Sequence, residues 1–183
     1  MALSNFLSRL NWQLILVHFI ACWFFYHALW QLGFLYDYNF FELIVHHKYK
    51  DIDALSKYTN EHMTIGYRLA RISISAALIG LIGLLIGFVI SLVLSLKNRW
   101  YWVNSLIVLL ITFTVCLFNR FYWHHIKVIF QAPGRIFQSD WAFILTNGLI
   151  MLAIGICLFF LKRIIRFIDG KKPDPAKIPI AQI

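Results

Sequence analysis

Four long apolar stretches govern what this chain can fold into: Trp12–Tyr36, Ile72–Leu96, Trp102–Trp123 and Trp141–Leu161. A helix needs roughly 20 apolar residues to cross a bilayer. Composition agrees, with 61% hydrophobic residues, 14% charged residues and a mean hydropathy of +0.72. Soluble domains are usually about 45–50% apolar and about 25% charged, so this chain requires an apolar solvent. The expected fold is an all-α membrane protein, a four-transmembrane-helix bundle forming one polytopic domain over residues 1–183.

The first stretch follows Arg9 and has the outline of a signal peptide. It is too long for one, and it ends in Trp, Gln and Phe instead of a small-residue cleavage site, so it reads as a retained anchor. Trp12, Trp30, Tyr36, Trp100, Tyr101, Trp102, Tyr122, Trp123 and Trp141 mark the span ends, where amphipathic rings favour the membrane–water boundary. Ser139, just before Asp140 and Trp141, is the expected N-cap of the fourth helix.

Basic residues divide almost evenly between the two faces of such a bundle. Their density differs, because L-K-R-I-I-R-F-I-D-G-K-K follows the fourth stretch directly. Short cytoplasmic segments concentrate Lys and Arg, which puts both termini in the cytoplasm of a plasma or bacterial inner membrane. Lys162, Arg163, Arg166, Lys171 and Lys172 are then expected to contact anionic lipid headgroups. The net charge of +9 is assigned to that contact and not to nucleic acid. Residues 162–183 form a basic tail, and beyond Gly170 its Pro173, Pro175 and Pro179 rule out a continuing helix, so that part is expected to lie on the headgroups.

The first connection is the long one. From Phe41 to Met63, Ile44, Val45, Tyr49, Ile52 and Leu55 recur at helical spacing opposite Glu42, Asp53 and Lys57. An amphipathic helix over about 41–63 is expected there, in the first extracytoplasmic loop, lying on the surface or capping the bundle.

Within the spans the clearest mechanical signal is a ladder of small residues. Gly83, Gly87, Ser91 and Ser95 repeat at spacing four, with Ala76 and Gly80 beside them and Gly148 and Gly155 on the fourth helix. Small residues let helix backbones approach closely, so these are the expected helix-packing positions, within the bundle or toward a partner. Gly80–Gly87 (G-L-I-G-L-L-I-G) and Gly148–Gly155 (G-L-I-M-L-A-I-G) match at six of eight positions. The match fits a repeated hairpin, and it also fits coincidence within the narrow alphabet of membrane helices.

Residue types that carry chemistry are sparse. His47, His62, His124 and His125 gather on the outer face beside several carboxylates and are the candidate metal ligands. Adjacent histidines on a helix diverge by about 100°, and no ligand-spaced motif is present, so no cofactor is assigned beyond that candidate ion. His18 and His27, nine residues apart, point to opposite faces of the first helix and suit no shared haem. They read as satisfied core histidines. Gln13, Gln31, Thr112, Thr114, Thr146 and Asn147 are expected to find backbone or neighbouring-helix partners. The serines lack a G-x-S-x-G context and a nearby base, so no catalytic residue is assigned. Cys22, Cys116 and Cys157 read as small core residues.

The function expected from this pattern is a non-catalytic accessory or scaffolding subunit of a membrane complex, with other membrane subunits or a second copy as partner. A membrane redox or metal enzyme built on the outer histidines is the first alternative. A small transporter of an apolar or lipid-like molecule is the second.

Overall fold

The computed structural model describes residues 9–39, 57, 60, 62–117, 136 and 139–169, excluding the side chains of Asp140, Lys162 and Arg163. The described residues form α1 (Trp12–Gly33), a short 3-10 turn (Phe34–Asp37), α2 (Met63–Lys97), α3 (Val103–Leu117), α4 (Asp140–Phe160) and α5 (Lys162–Asp169), with no strand among them. Three segments, Trp12–Asp37, Met63–Lys97 and Trp141–Phe160, are long and apolar enough to cross a membrane, and Val103–Leu117 is a shorter apolar helix. By length and composition the chain is a membrane-embedded helical protein. Most of the expected loop helix, the third stretch beyond Leu117 and the tail beyond Asp169 lie outside the described residues.

Helix α1 occupies the centre. Its buried residues run around its circumference, from Leu14, Ile15 and His18 to His27, Trp30 and Gln31, because α2, α3 and α4 all pack against it. It carries the bulk of this interface in Trp23, Phe24, Phe25, Tyr26 and Trp30, and its neighbours supply the space.

The antiparallel register with α2 follows from the closest approaches. Gly33 lies against Ala76, Gly80 against Trp30, Gly83 against Phe25, Gly87 against Cys22 and Ser91 against His18. Each step of about four residues down α1 is matched by about four up α2, roughly one helical turn on each. On the other side of α1, Gly148 meets Leu32 and Ala28, and Gly155 meets Phe25 and Ala21. Interior glycine costs a water-exposed helix about 1 kcal/mol relative to alanine. In lipid no water competes for the backbone groups, so helices tolerate glycine and gain dispersion contacts from the close approach.

The outward face of α2 reverses this size pattern, with Ile74, Leu78, Ile82, Leu85, Val89, Val93 and Leu96 exposed. Large apolar groups facing out and small groups facing in describe a helix whose surrounding solvent is hydrocarbon. The helix has 35 residues, so it is about 52 Å long against a hydrocarbon thickness of about 30 Å. It begins at Met63, well before the expected Ile72. That extra length docks on the 3-10 turn after α1, where Arg68 meets Asp37 at 3.2 Å and Arg71 donates to the Tyr36 hydroxyl at 3.4 Å.

Helix α2 ends in a Schellman turn. The Trp100 amide donates to the Ser95 carbonyl at 2.8 Å and the Arg99 amide to the Leu96 carbonyl at 3.2 Å. Arg99 takes the left-handed position of that turn with φ 55°, a place usually given to glycine. A side chain there costs about 1–2 kcal/mol, and glycine costs about 0.5–1 kcal/mol in unfolded-chain entropy. Arg99→Gly is therefore expected to raise stability by about 0.5–1 kcal/mol, read as a higher unfolding midpoint in neutral detergent.

Helix α4 starts after Ser139, whose backbone is extended (φ −108°, ψ 126°), yet its hydroxyl makes no capping bond. The expected N-cap thus has the right place without the bond. The basic run after Phe160, to which the sequence reading assigned no element, is helical over Lys162–Asp169. Leu161 leaves the helical region (φ −63°, ψ 117°), and the chain turns into α5, which buries Ile168 and exposes Arg166 and Phe167.

Candidate functional site

The most developed polar assembly at depth begins at His18. Its Nδ1 lies 2.8 Å from Ser91 Oγ, Ser91 donates to Ser105 Oγ at 3.0 Å, and Ser95 and Ser105 share a further 3.0 Å bond. All four side chains are buried. Phe159 and Trp100 wall the imidazole edge-on, with ring centroids at 5.1 and 5.9 Å. One chain of hydrogen bonds therefore joins α1, α2 and α3, and its aromatic lining comes from α4 and the α2–α3 turn.

Proton direction limits the chemistry of this chain. Ser91 gives its only proton to Ser105, so its oxygen accepts from His18 Nδ1–H. A serine nucleophile needs the opposite, an imidazole that takes the serine proton. The geometry is that of a helix-joining relay. The sequence reading that the span serines lack a nearby base needs correcting, because His18, 73 residues away in the chain, sits on Ser91.

Below this chain a second knot closes one end of the fold. The Asn11 side-chain carbonyl caps α1 by accepting from Leu14 N at 3.1 Å, and its Nδ2 donates to the Ile168 carbonyl at 3.2 Å. The Asn11 amide donates to Asn104 Oδ1 at 3.3 Å, and Trp100 Nε1 donates to Asp169 Oδ1 at 2.8 Å. Asn11 thus ties the starts of α1 and α3 to the end of α5. Asn11→Ala removes a cap worth about 1 kcal/mol and a cross-link worth about 1 kcal/mol. We expect a loss of about 2 kcal/mol, with faster amide exchange in α5. Asn11→Asp keeps the cap, loses the donor and is expected to fall between the two.

The other predicted polar residues divide. Thr112 and Thr114 donate to the carbonyls of Val108 and Leu110 at 2.7 and 2.8 Å, as expected of helix-buried threonines. Gln13 Oε1, Gln31 Oε1 and both polar atoms of the Asn147 side chain are buried without a hydrogen-bond partner, against expectation. Asn147 is fully buried, beside Gly148 where α4 packs on Leu32 and Ala28 of α1. His27 is buried among the rings of Trp23, Tyr26 and Trp30.

Of the candidate metal ligands, only His62 is described, exposed at the start of α2. His47, His124 and His125 lie outside the described residues. Among the described residues no group of three or more His, Cys, Asp or Glu side chains is arranged to hold a metal ion. Of the expected headgroup contacts, Arg166 is exposed, Lys162 and Arg163 belong to α5 with undescribed side chains, and Lys171 and Lys172 lie outside the described residues. Cys22 and Cys116 are buried and Cys157 is exposed, all three as free thiols.

Fold and site together define a membrane-embedded helical protein whose central helix is joined to its neighbours by buried polar bonds. No protein family, curated protein or solved structure matches the chain.

Proposed function

We propose that this chain is a four-span membrane protein acting as a non-catalytic accessory or scaffolding subunit of a membrane complex. The observation that carries the scaffolding reading is the internal use of the polar side chains at depth. His18, Ser91, Ser95 and Ser105 bond one another and link three helices. Such bonds act as glue between membrane helices.

The fourth crossing is inferred from the ends. The Asn11–Ile168 bond brings the start of α1 and the end of α5 to one face, so the chain between them crosses an even number of times. With α1, α2 and α4 as spans, α3 belongs to the remaining crossing. Basic density after Phe160 favours the cytoplasm for that face, in a plasma or bacterial inner membrane, with the tail through Lys171 and Lys172 on anionic headgroups.

The small ladder of α2 is occupied by α1, so partners would use the outward aliphatic faces of α2 and α3. Crosslinking in native membranes followed by purification is expected to recover a second membrane polypeptide or a second copy. Recovery of the chain only as an uncrosslinked monomer would sink the proposal.

A further inference from the structure

We infer that the face closed by Asn11, Trp100 and Ile168 is a built docking site for anionic phospholipid headgroups, formed by Arg9, Lys97, Arg99 and Arg166; this rests on the membrane reading above. All four side chains are exposed, and each stands within three residues of a member of the hydrogen-bonded knot. The knot holds together the backbone segments that carry them, through the Asn11–Ile168 and Trp100–Asp169 bonds at 3.2 and 2.8 Å. The carboxylate of this face, Asp169, is engaged by the Trp100 indole.

The face sits at headgroup depth, because α1 begins there, α2 ends there and α5 follows α4 there after a single residue. Helix α5 is laid out for that boundary, with Ile168 anchored under the bundle and Phe167 exposed beside Arg166. Basic amphipathic helices of this kind lie in the interface and attract anionic lipid. Arg99 adds an independent sign. It keeps a long cation in a left-handed backbone position that glycine fills without strain, at the corner of this face. Observed backbone strain of that sort points from conformation to use.

This site differs from the diffuse attraction expected of the tail, because it stands on the folded face. It is tested on the full chain in phosphatidylcholine nanodiscs containing a minor fraction of phosphatidylglycerol, with retained lipids identified by native mass spectrometry. The unaltered chain is expected to enrich phosphatidylglycerol. Arg9→Gln, Lys97→Gln and Arg166→Gln are each expected to lower that enrichment about fivefold. Arg99→Gly is expected to lower it while raising the unfolding midpoint in pure phosphatidylcholine, which separates loss of the site from loss of the fold. Unchanged enrichment in the variant that combines Arg9→Gln, Lys97→Gln, Arg99→Gly and Arg166→Gln overturns the proposal. So does loss of enrichment in Lys171→Gln/Lys172→Gln alone, which assigns the effect to the tail. Preferential binding of an acidic peptide over the lipid overturns it as well. Failure of the chain to enter nanodiscs at all rejects the underlying membrane reading instead.

Discussion

Gly83→Leu is expected to separate the first two helices. A Cβ at Gly83 would lie 2.5 Å from the Phe25 carbonyl oxygen and 3.0 Å from its carbon, both backbone atoms of the central helix. No rotamer change relieves that contact, so the helices themselves must move apart. Even Gly83→Ala is expected to cost about 1–3 kcal/mol, the usual range for overpacking, and leucine more than that. The bonds from α1 to α2 depend on the same spacing, and the His18–Ser91 contact lies two turns further along. Gly148→Ala is the informative comparison. Its Cβ would meet Leu32 Cγ and Cδ2 at 2.6 and 2.7 Å, side-chain atoms that can turn away, and its cost should be smaller. Ile82→Leu, on the outward face, should be neutral. Denaturant titration in micelles, followed by tryptophan fluorescence, ranks the four. An unfolding midpoint for Gly83→Leu equal to the native one would mean that the α1–α2 register described above is wrong.

His18→Ala is the second large expected effect. It empties the space between Phe159 and Trp100 and removes the donor on which the serine chain begins. Lost packing and the cavity together are expected to cost about 2–3 kcal/mol. His18→Phe separates the terms, because it keeps most of the volume and loses only the bond. Interhelical hydrogen bonds in membranes average about 0.6 kcal/mol and reach about 1.7, so the phenylalanine variant should retain most of the stability. Ser91→Ala also removes the bond to Ser105 and should cost more than His18→Phe, and the double variant should cost less than the sum, since both remove the His18–Ser91 bond. Full additivity in that cycle would show that the two side chains do not interact.

How much of this was legible beforehand differs from residue to residue. The apolar runs betrayed the long helices, because hydrocarbon thickness dictates span length and few soluble folds mimic it. The spacing of Gly83, Gly87, Ser91 and Ser95 was visible as a ladder, but a ladder does not name the helix it faces. That information lies in Phe25 and Cys22, which nothing in their own neighbourhood marks as its counterpart. The centrality of α1 was hidden for a related reason: a helix buried on all sides has no apolar stripe to read. His18 and Ser91 are separated by 73 residues, and only the antiparallel register brings them together. Arg99 in a left-handed turn runs against the preference for glycine there, so local rules would have continued the chain differently. Helix α5 was missed because its eight residues carry too many charges to read as a span. The burial of Asn147 depends on how α4 packs on α1, which composition does not encode.

The central position of α1 also bears on how the chain is assembled. In chain order it precedes every helix that covers it, and it is the least lipid-compatible of the three long ones. The mean hydropathy of its span, Trp12–Asp37, is 1.4 against 2.9 and 2.4 for the others, and 56% of its apolar 18-residue window is buried inside the fold against 33% of the window in each of them. During insertion the imidazole of His18 would face hydrocarbon until Ser91 arrives, and polar groups in that setting are expensive. The paired hairpin of α1 and α2 is therefore the smallest unit in which that imidazole has its partner. Membrane integration of this chain should be cooperative over two helices, with the second acting as the cover under which the first becomes stable.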